Sequence, residues 1–408
     1  MPNVIFAVPF AMDASLRFVR AAAELPGVRL GIVTQEPIER FPEELRRLVN
    51  GIQRVPDAMK SPAIVSASRT IAREWNAPLD RLIGILEPLQ VPLAEARAEL
   101  GLPGMSVEVA KNFRDKSRMK NLLRGAGLPC ARHQLAETPA EARAFAERVG
   151  FPLVVKPPAG AGAKNTFRVG NARELEDALR SMPPRPNAAV LFEEFITGEE
   201  YAFDTVTLHG RHVFHSISKY APPPLEVLRE PWIQWTVLQP RRIDDPKFGP
   251  IFEAGPRALD VLGMGTGLSH MEWFRRPDGT IAISEVGARP PGAQFTTLLS
   301  YTHDFDFYRG WCKLVVFDEF TPPERKFASG AAYVRAQGNG PRIVRVLGLE
   351  EVRRELGDLV VEAKLPKVGA APTGTYEGEG FVIVRDPDTH KVEAALKWLV
   401  RTIRVELG

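Results

Sequence analysis

Glu272 and Glu285 are the residues whose placement says most about chemistry. They fall in two strand-like runs, Leu268 to Arg275 and Thr280 to Val286, joined by Arg276-Pro277-Asp278-Gly279. Proline followed by glycine is turn chemistry, so the runs read as a hairpin. An even-numbered turn sets Arg275 opposite Thr280, Glu272 opposite Ile283 and His270 opposite Glu285. Side chains alternate with period two, which then puts Glu272, His270 and Glu285 on one face, the two carboxylates diagonal at roughly 7 to 8 Å between backbones. Like charges at that range repel unless a cation sits between them, and a hard divalent ion with oxygen ligands such as Mg²⁺ meets the need. A three-residue turn would send the two glutamates to opposite faces. Alone, the hairpin reads more readily as a surface turn with solvated glutamates.

Further positions suit phosphate. Lys156 ends Pro152-Leu153-Val154-Val155; a lysine buried in an apolar strand needs an anionic partner, which a phosphate supplies, and snorkelling to water is the alternative. Gly160, Ala161 and Gly162 follow between two strands, where the amides of a hairpin tip can form a nest, although the glycine-lysine-serine/threonine ending of a P-loop is missing and a plain turn is the simpler reading. Phe192-Glu193-Glu194-Phe195-Ile196 closes a strand and opens an irregular link whose unpaired backbone groups are available to an adenine edge, and Glu200 can accept from ribose hydroxyls. Taken alone these acids are an exposed loop. Arg289 stands four residues beyond Glu285 in the proline-stiffened Val286-Gly287-Ala288-Arg289-Pro290-Pro291-Gly292. Its guanidinium matches the oxygens of a transferring phosphoryl group, with a structural salt bridge as the plain alternative.

The elements that must hold these residues alternate in type. The first hundred residues give strand Val4 to Val8, helix Ala14 to Glu24, strand Val28 to Thr34 and strand Arg81 to Leu86, an α/β and parallel layer. No Gly-x-Gly-x-x-Gly follows the first strand, so this layer reads as scaffold. A helix runs from Asp115 to about Gly125; a second opens on Thr138-Pro139 with Glu141, a capping box, and stops at Gly150. Strand, glycine loop, strand, a helix capped by Asn171 with Glu174, and strand follow in close order. Residues 221–250 read as a proline-rich ordered loop carrying Trp232, Trp235, Arg241 and Arg242, which can shape an acceptor pocket, although packing aromatics and solvated charges are the simpler account. After Thr321-Pro322-Pro323 an α+β segment closes the chain, with strands near 330–336 and 380–385 and a helix from about Thr389.

At 408 residues the chain exceeds what one core usually organises. Its 53 basic and 50 acidic residues include no run of five like charges, so neither nucleic acid nor a membrane surface is implied as partner. Cys130 and Cys312 lack metal or disulfide spacing, no apolar run approaches membrane length, and Val4 to Val8 reads as a strand rather than a leader. The reading is cytoplasmic.

Taken in order, these motifs resemble the ATP-grasp superfamily, specifically its carboxylate–amine ligases of amino-acid and peptide type, over roughly Lys111 to Phe320. The resemblance implies an ATP-grasp fold, α/β and α+β, with a Rossmann-like domain at 1–110, the ATP-grasp domain at 111–320 with its lid at about 130–192, and an α+β domain at 321–408. It implies Lys116, of the Asp115-Lys116 pair, and Lys156 on phosphate, the loop Ala159 to Ala163 over the triphosphate, and Glu193 to Ile196 as adenine hinge with main-chain contacts from Glu194 and Ile196. Glu200 falls on ribose, His270 on the nucleotide side, Glu272 and Glu285 on the metal, and Arg289 on the transition state. ATP and Mg²⁺, with Mn²⁺ as substitute, are the implied cofactors. The implied partners are a small carboxylate and an amine, amino acids or short peptides, and a homodimer is consistent with the family. Gly287 stands where many members carry the asparagine of Glu-x-Asn, which removes a side-chain ligand for a second metal ion. The longer glycine run of biotin carboxylase and its downstream arginine and glutamate motif are not evident. The implied reaction is ADP-forming activation of a carboxylate as an acyl phosphate, then amide formation. Two rivals stand beside it: a phosphotransferase on a small molecule, and a nucleotide-binding subunit without turnover.

Overall fold

The computed structural model describes residues 1–159, 166–230, 232–375 and 377–408. Four strands, β1 (Asn3–Ala7), β2 (Arg29–Thr34), β3 (Gly51–Arg54) and β4 (Arg81–Ile83), form an all-parallel sheet in the order β3-β2-β1-β4, the layer expected from the sequence. Helices such as Asp13–Ala23 and Ser61–Trp75 cover it. Both faces are thus packed, and the two central strands, β1 and β2, are buried almost throughout.

A second, antiparallel sheet follows: β5 (His133–Ala136), β6 (Leu153–Lys156), β7 (Phe167–Val169) and β8 (Val190–Glu194), in the order β5-β8-β6-β7. Its helices begin where the sequence places their caps. Thr138 Oγ1 accepts from the Glu141 N–H at 3.3 Å, while the Glu141 carboxylate reaches one residue further back than a capping box requires, to the Glu137 N–H at 2.8 Å. Asn171 accepts from the Glu174 N–H at 3.0 Å.

The largest sheet has eight antiparallel strands. Its strands are β9 (Glu199–Leu208), β10 (Arg211–Ala221), β11 (Trp235–Gln239), β12 (Gly267–Arg275), β13 (Ile281–Gly287), β14 (Ala328–Val334), β17 (Val360–Lys364) and β18 (Gly380–Asp386). They run in the order β13-β12-β9-β10-β11-β14-β18-β17, so this one sheet continues across residue 320. The strands β15 (Ala336–Gln337), β16 (Ile343–Leu347) and β19 (Arg404–Leu407) form a small separate sheet. One face of the large sheet packs Tyr201, Phe203, Ile217, Met271, Trp273 and Ile283 against helices Gly249–Leu262 and Lys116–Gly125. Gly255 permits that approach, since a Cβ there would meet the Phe203 ring at 2.6 Å.

The segment read as a loop is regular in part. Helix Pro224–Arg229 and strand β11 lie inside it, and helix Gly249–Leu262 starts at its end. Proline was the misleading signal: Pro224 sits in the first turn of its helix, where its missing N–H costs nothing, and Pro256 is tolerated inside a longer one.

Candidate active site

Hairpin geometry decides whether two glutamates meet. The Arg276 N–H donates to Thr280 O at 2.8 Å, leaving Pro277-Asp278-Gly279 as a three-residue turn, and Arg275 pairs with Ile281 rather than Thr280. Continued regularly, that register would put Glu272 and Glu285 on opposite faces. A β-bulge restores the match: Trp273 still pairs with Ile283, Ser284 is the extra residue, and Glu272 then pairs directly with Glu285. The expected diagonal is therefore corrected to a direct pair, and His270 faces Gly287 rather than Glu285. On the other side of β12, His270 pairs with Asp204, Glu272 with Ala202 and Phe274 with Glu200. One face thus carries Glu200, Asp204, His270, Glu272 and Glu285.

Above this face lies a cavity of about 580 Å³, walled by the four-stranded and eight-stranded sheets and lined by Lys116, Lys156, Glu193 to Ile196, Glu200, His270, Glu272, Glu285 and Arg289. The residues expected on nucleotide, metal and transition state, from Lys116 to Arg289, therefore meet in one place; Gly160, Ala161 and Gly162 lie outside the described residues. Asp115 caps helix Lys116–Gly125 by accepting from the Ser117 and Arg118 N–H groups, and Lys116 N–H donates to Pro158 O at 3.0 Å. Lys116 Nζ then reaches Glu285 Oε1 at 2.7 Å. Lys156 Nζ lies 2.9 Å from Glu193 Oε2. Burial alone would raise the Glu193 pKa, but Lys120 and Lys156 outweigh it and lower it to about 2. The hinge is pinned from outside: the Glu194 N–H donates to Arg132 O at 2.9 Å, the Phe195 N–H to Pro152 O at 3.1 Å, and Arg132 and Arg276 hold the Glu194 carboxylate. Among the described residues none accepts from the Ile196 N–H, which leaves it for a ligand.

The carboxyls split electrostatically. Burial works against the Glu285 carboxylate, yet Lys116 and Lys156 hold its pKa below the usual range. Burial raises Glu272, and the charge on Glu285 raises it further; Glu200 is raised well above the usual value by burial and by Glu272. No described residue forms an ion pair with Glu272 or Glu200. A carboxyl pair with one uncompensated member suits a divalent cation. Among the described residues there is no cluster of three acidic, histidine or cysteine ligands, so Glu272 and Glu285 would supply two ligands and phosphate oxygens and water the rest, as Mg²⁺ commonly requires.

Residues that sequence reasoning passed over complete the wall. Glu87, from the loop after β4, accepts from Arg289 Nε at 2.7 Å and has Arg114 at 3.8 Å. A Cβ on Gly287 would meet Glu87 Oε2 at 3.2 Å, so this carboxylate crowds the space that a side chain at 287 would enter. The signal was available: Glu87 ends an apolar run just as Lys156 does. His270 Nδ1 donates to Asp204 Oδ1 at 2.6 Å, and its Nε2 lies 3.2 Å from the Tyr220 hydroxyl. Trp235 lines the cavity, stacked on Tyr333 at 4.0 Å. Trp232, Arg241 and Arg242 do not line it; all three are exposed, and Arg242 pairs with Asp244 at 2.9 Å.

Residues 121–305 match the family model of the ATP-grasp domain. This chain carries an ATP-grasp domain. The L-arginine-specific L-amino acid ligase of Bacillus subtilis is 24% identical over 290 residues, covering 70% of this chain and 69% of that one. The alanine–anticapsin ligase of Bacillus subtilis (strain 168) is 27% identical over 222 residues, covering 49% of this chain, which spans only 46% of that relative. In fold, the chain matches the crystal structure of the L-amino acid ligase from Bacillus licheniformis with TM-score 0.80 and 22% identity, over 100% of this chain and 99% of that one. Among the described residues no helix is long and apolar enough to cross a membrane.

Proposed function

We propose that this ATP-grasp protein is an ADP-forming ligase: it activates a carboxylate as an acyl phosphate with Mg-ATP and couples it to an amine. The substrates are small molecules, and amino acids or short peptides are the class that the names of the two Bacillus subtilis relatives favour. One observation carries the reading. Glu272 pairs directly with Glu285 on the wall of a cavity that also holds Lys116, Lys156 and the hinge at 193–196.

Bound between Glu272 and Glu285, magnesium would withdraw charge from the terminal phosphate. Lys116 and Lys156 add positive charge beside the phosphates. Glu87 fixes Arg289 through Nε, so the guanidinium plane is preorganised toward the oxygens of the reacting carboxylate and phosphoryl group. A carboxylate oxygen attacks the γ-phosphorus and the β–γ bridging bond breaks, releasing ADP. The ammonium form of the amine gives one proton to solvent, its nitrogen attacks the acyl carbon, the bond to phosphate breaks, and the second N–H proton leaves with the departing phosphate. The cavity walls hold water away from the reactive acyl group meanwhile.

Hydroxylamine trapping tests this reading. Purified protein with Mg-ATP, hydroxylamine and single amino acids or dipeptides is expected to yield ADP and hydroxamate in equal amounts for at least one carboxylate. ADP release with neither hydroxamate nor amide, from any carboxylate, would sink the ligase reading in favour of phosphoryl transfer to a hydroxyl.

A further inference from the structure

We propose that Lys120 is a positioning residue for the divalent ion: by holding the Ser284 carbonyl it keeps the bulge that sets Glu285 opposite Glu272. The inference rests on the metal role given to those two glutamates above.

Strand β13 is the edge of the eight-stranded sheet, so its outward backbone groups have no strand to pair with. Two of them find other partners. The Ile283 N–H donates to Pro129 O at 2.8 Å, and Lys120 Nζ donates to Ser284 O at 2.7 Å. Ser284 is the bulge residue itself. Lys120 is fully buried, between Met119 and the next apolar turn at Leu123, both locked in the core, so its ammonium has little freedom to go elsewhere. Its second neighbour, Glu193 Oε1, stands at 3.4 Å and makes no hydrogen bond in the described structure. Distance therefore ranks the carbonyl as the principal contact. The same helix delivers Lys116 one turn earlier to Glu285. Two lysines four residues apart thus serve one metal ligand: one touches its carboxylate and the other fixes the backbone that aims it. A bulge without its clamp can relax by one residue, and a one-residue slip turns Glu285 to the opposite face.

The test is Mn²⁺ binding to the enzyme–ADP complex by electron paramagnetic resonance, with ADP affinity measured separately in EDTA. Lys120→Met is expected to weaken Mn²⁺ binding by about tenfold or more, the usual effect of losing a group that orients a metal ligand. Metal-free ADP affinity and the KM of the carboxylate substrate should change far less. Wild-type Mn²⁺ affinity in a folded Lys120→Met, or parallel loss of metal, nucleotide and substrate binding, would overturn the proposal. If Lys120→Met does not fold, Lys120→Gln carries the test: weakened Mn²⁺ binding with intact ADP binding supports the role, and unchanged Mn²⁺ binding overturns it. Wild-type protein that fails to bind Mn²⁺ with ADP would instead remove the underlying site.

Discussion

The two faces of the eight-stranded sheet put the same side chain to opposite uses. On the cavity face, burial works against a charged His270, but Asp204 and then Glu272 outweigh it and raise its pKa above the usual histidine value. On the packed face, His215 stacks on Phe203 at 4.9 Å, and burial, aided by His212, lowers its pKa to about 4. Burial opposes charge on both sides; the carboxylates on one face decide the difference. Glu272 and Trp273 are adjacent in sequence, yet one faces the cavity and the other the core, because the strand alternates.

That contrast can be broken from either side. The largest effect is expected on the cavity face: Glu285→Gln should lower kcat by about 10³-fold or more through loss of a metal carboxylate, with thermal stability near wild type. Parallel loss of activity and melting temperature would make Glu285 structural instead. From the packed face, Trp273→Ala removes a fully buried ring stacked on Tyr201 at 4.9 Å and should cost about 3–5 kcal/mol in denaturant unfolding. A smaller effect follows from His215. Its folded pKa of about 4 lies below the ordinary histidine value of 6.5, so below pH 6.5 the unfolded chain takes up a proton that the native state refuses. Stability should therefore fall between pH 6.5 and 4, by at most roughly 3 kcal/mol from this group. His215→Gln should flatten that part of the curve, and the difference from wild type separates it from His303, lowered to about 3. The smallest effect is expected off both faces: Arg241→Ala should leave KM and stability unchanged within about 0.5 kcal/mol. A raised KM would return Arg241 to the substrate site.

What was legible in the sequence were features set by neighbours along the chain. The parallel N-terminal layer, the helix starting near Asp115, the caps at Thr138 and Asn171, and the strand ending on Lys156 depend on local spacing, and each appears close to where its residues place it. The convergence of Lys116, Lys156, Glu193, Glu272, Glu285 and Arg289 was also readable, because their order resembles a known family. What escaped depends on distant partners. The turn length came out odd, and only the bulge at Ser284, held from another helix by Lys120, brings Glu285 back to Glu272. Glu87 reaches Arg289 across 202 positions of sequence, a pairing no local pattern announces. Prolines in 221–250 masked a helix and a strand because proline opens a helix as readily as it breaks one.

The most direct test of the account is a product balance: purified protein with Mg-ATP and pairs of amino acids, with ADP quantified and condensed products followed by mass. The expected result is one ADP for each amide formed, abolished in Glu285→Gln without loss of fold. AMP and pyrophosphate in place of ADP, or an amide yield untouched by Glu285→Gln, would contradict a metal-assisted acyl phosphate route through this pair of glutamates.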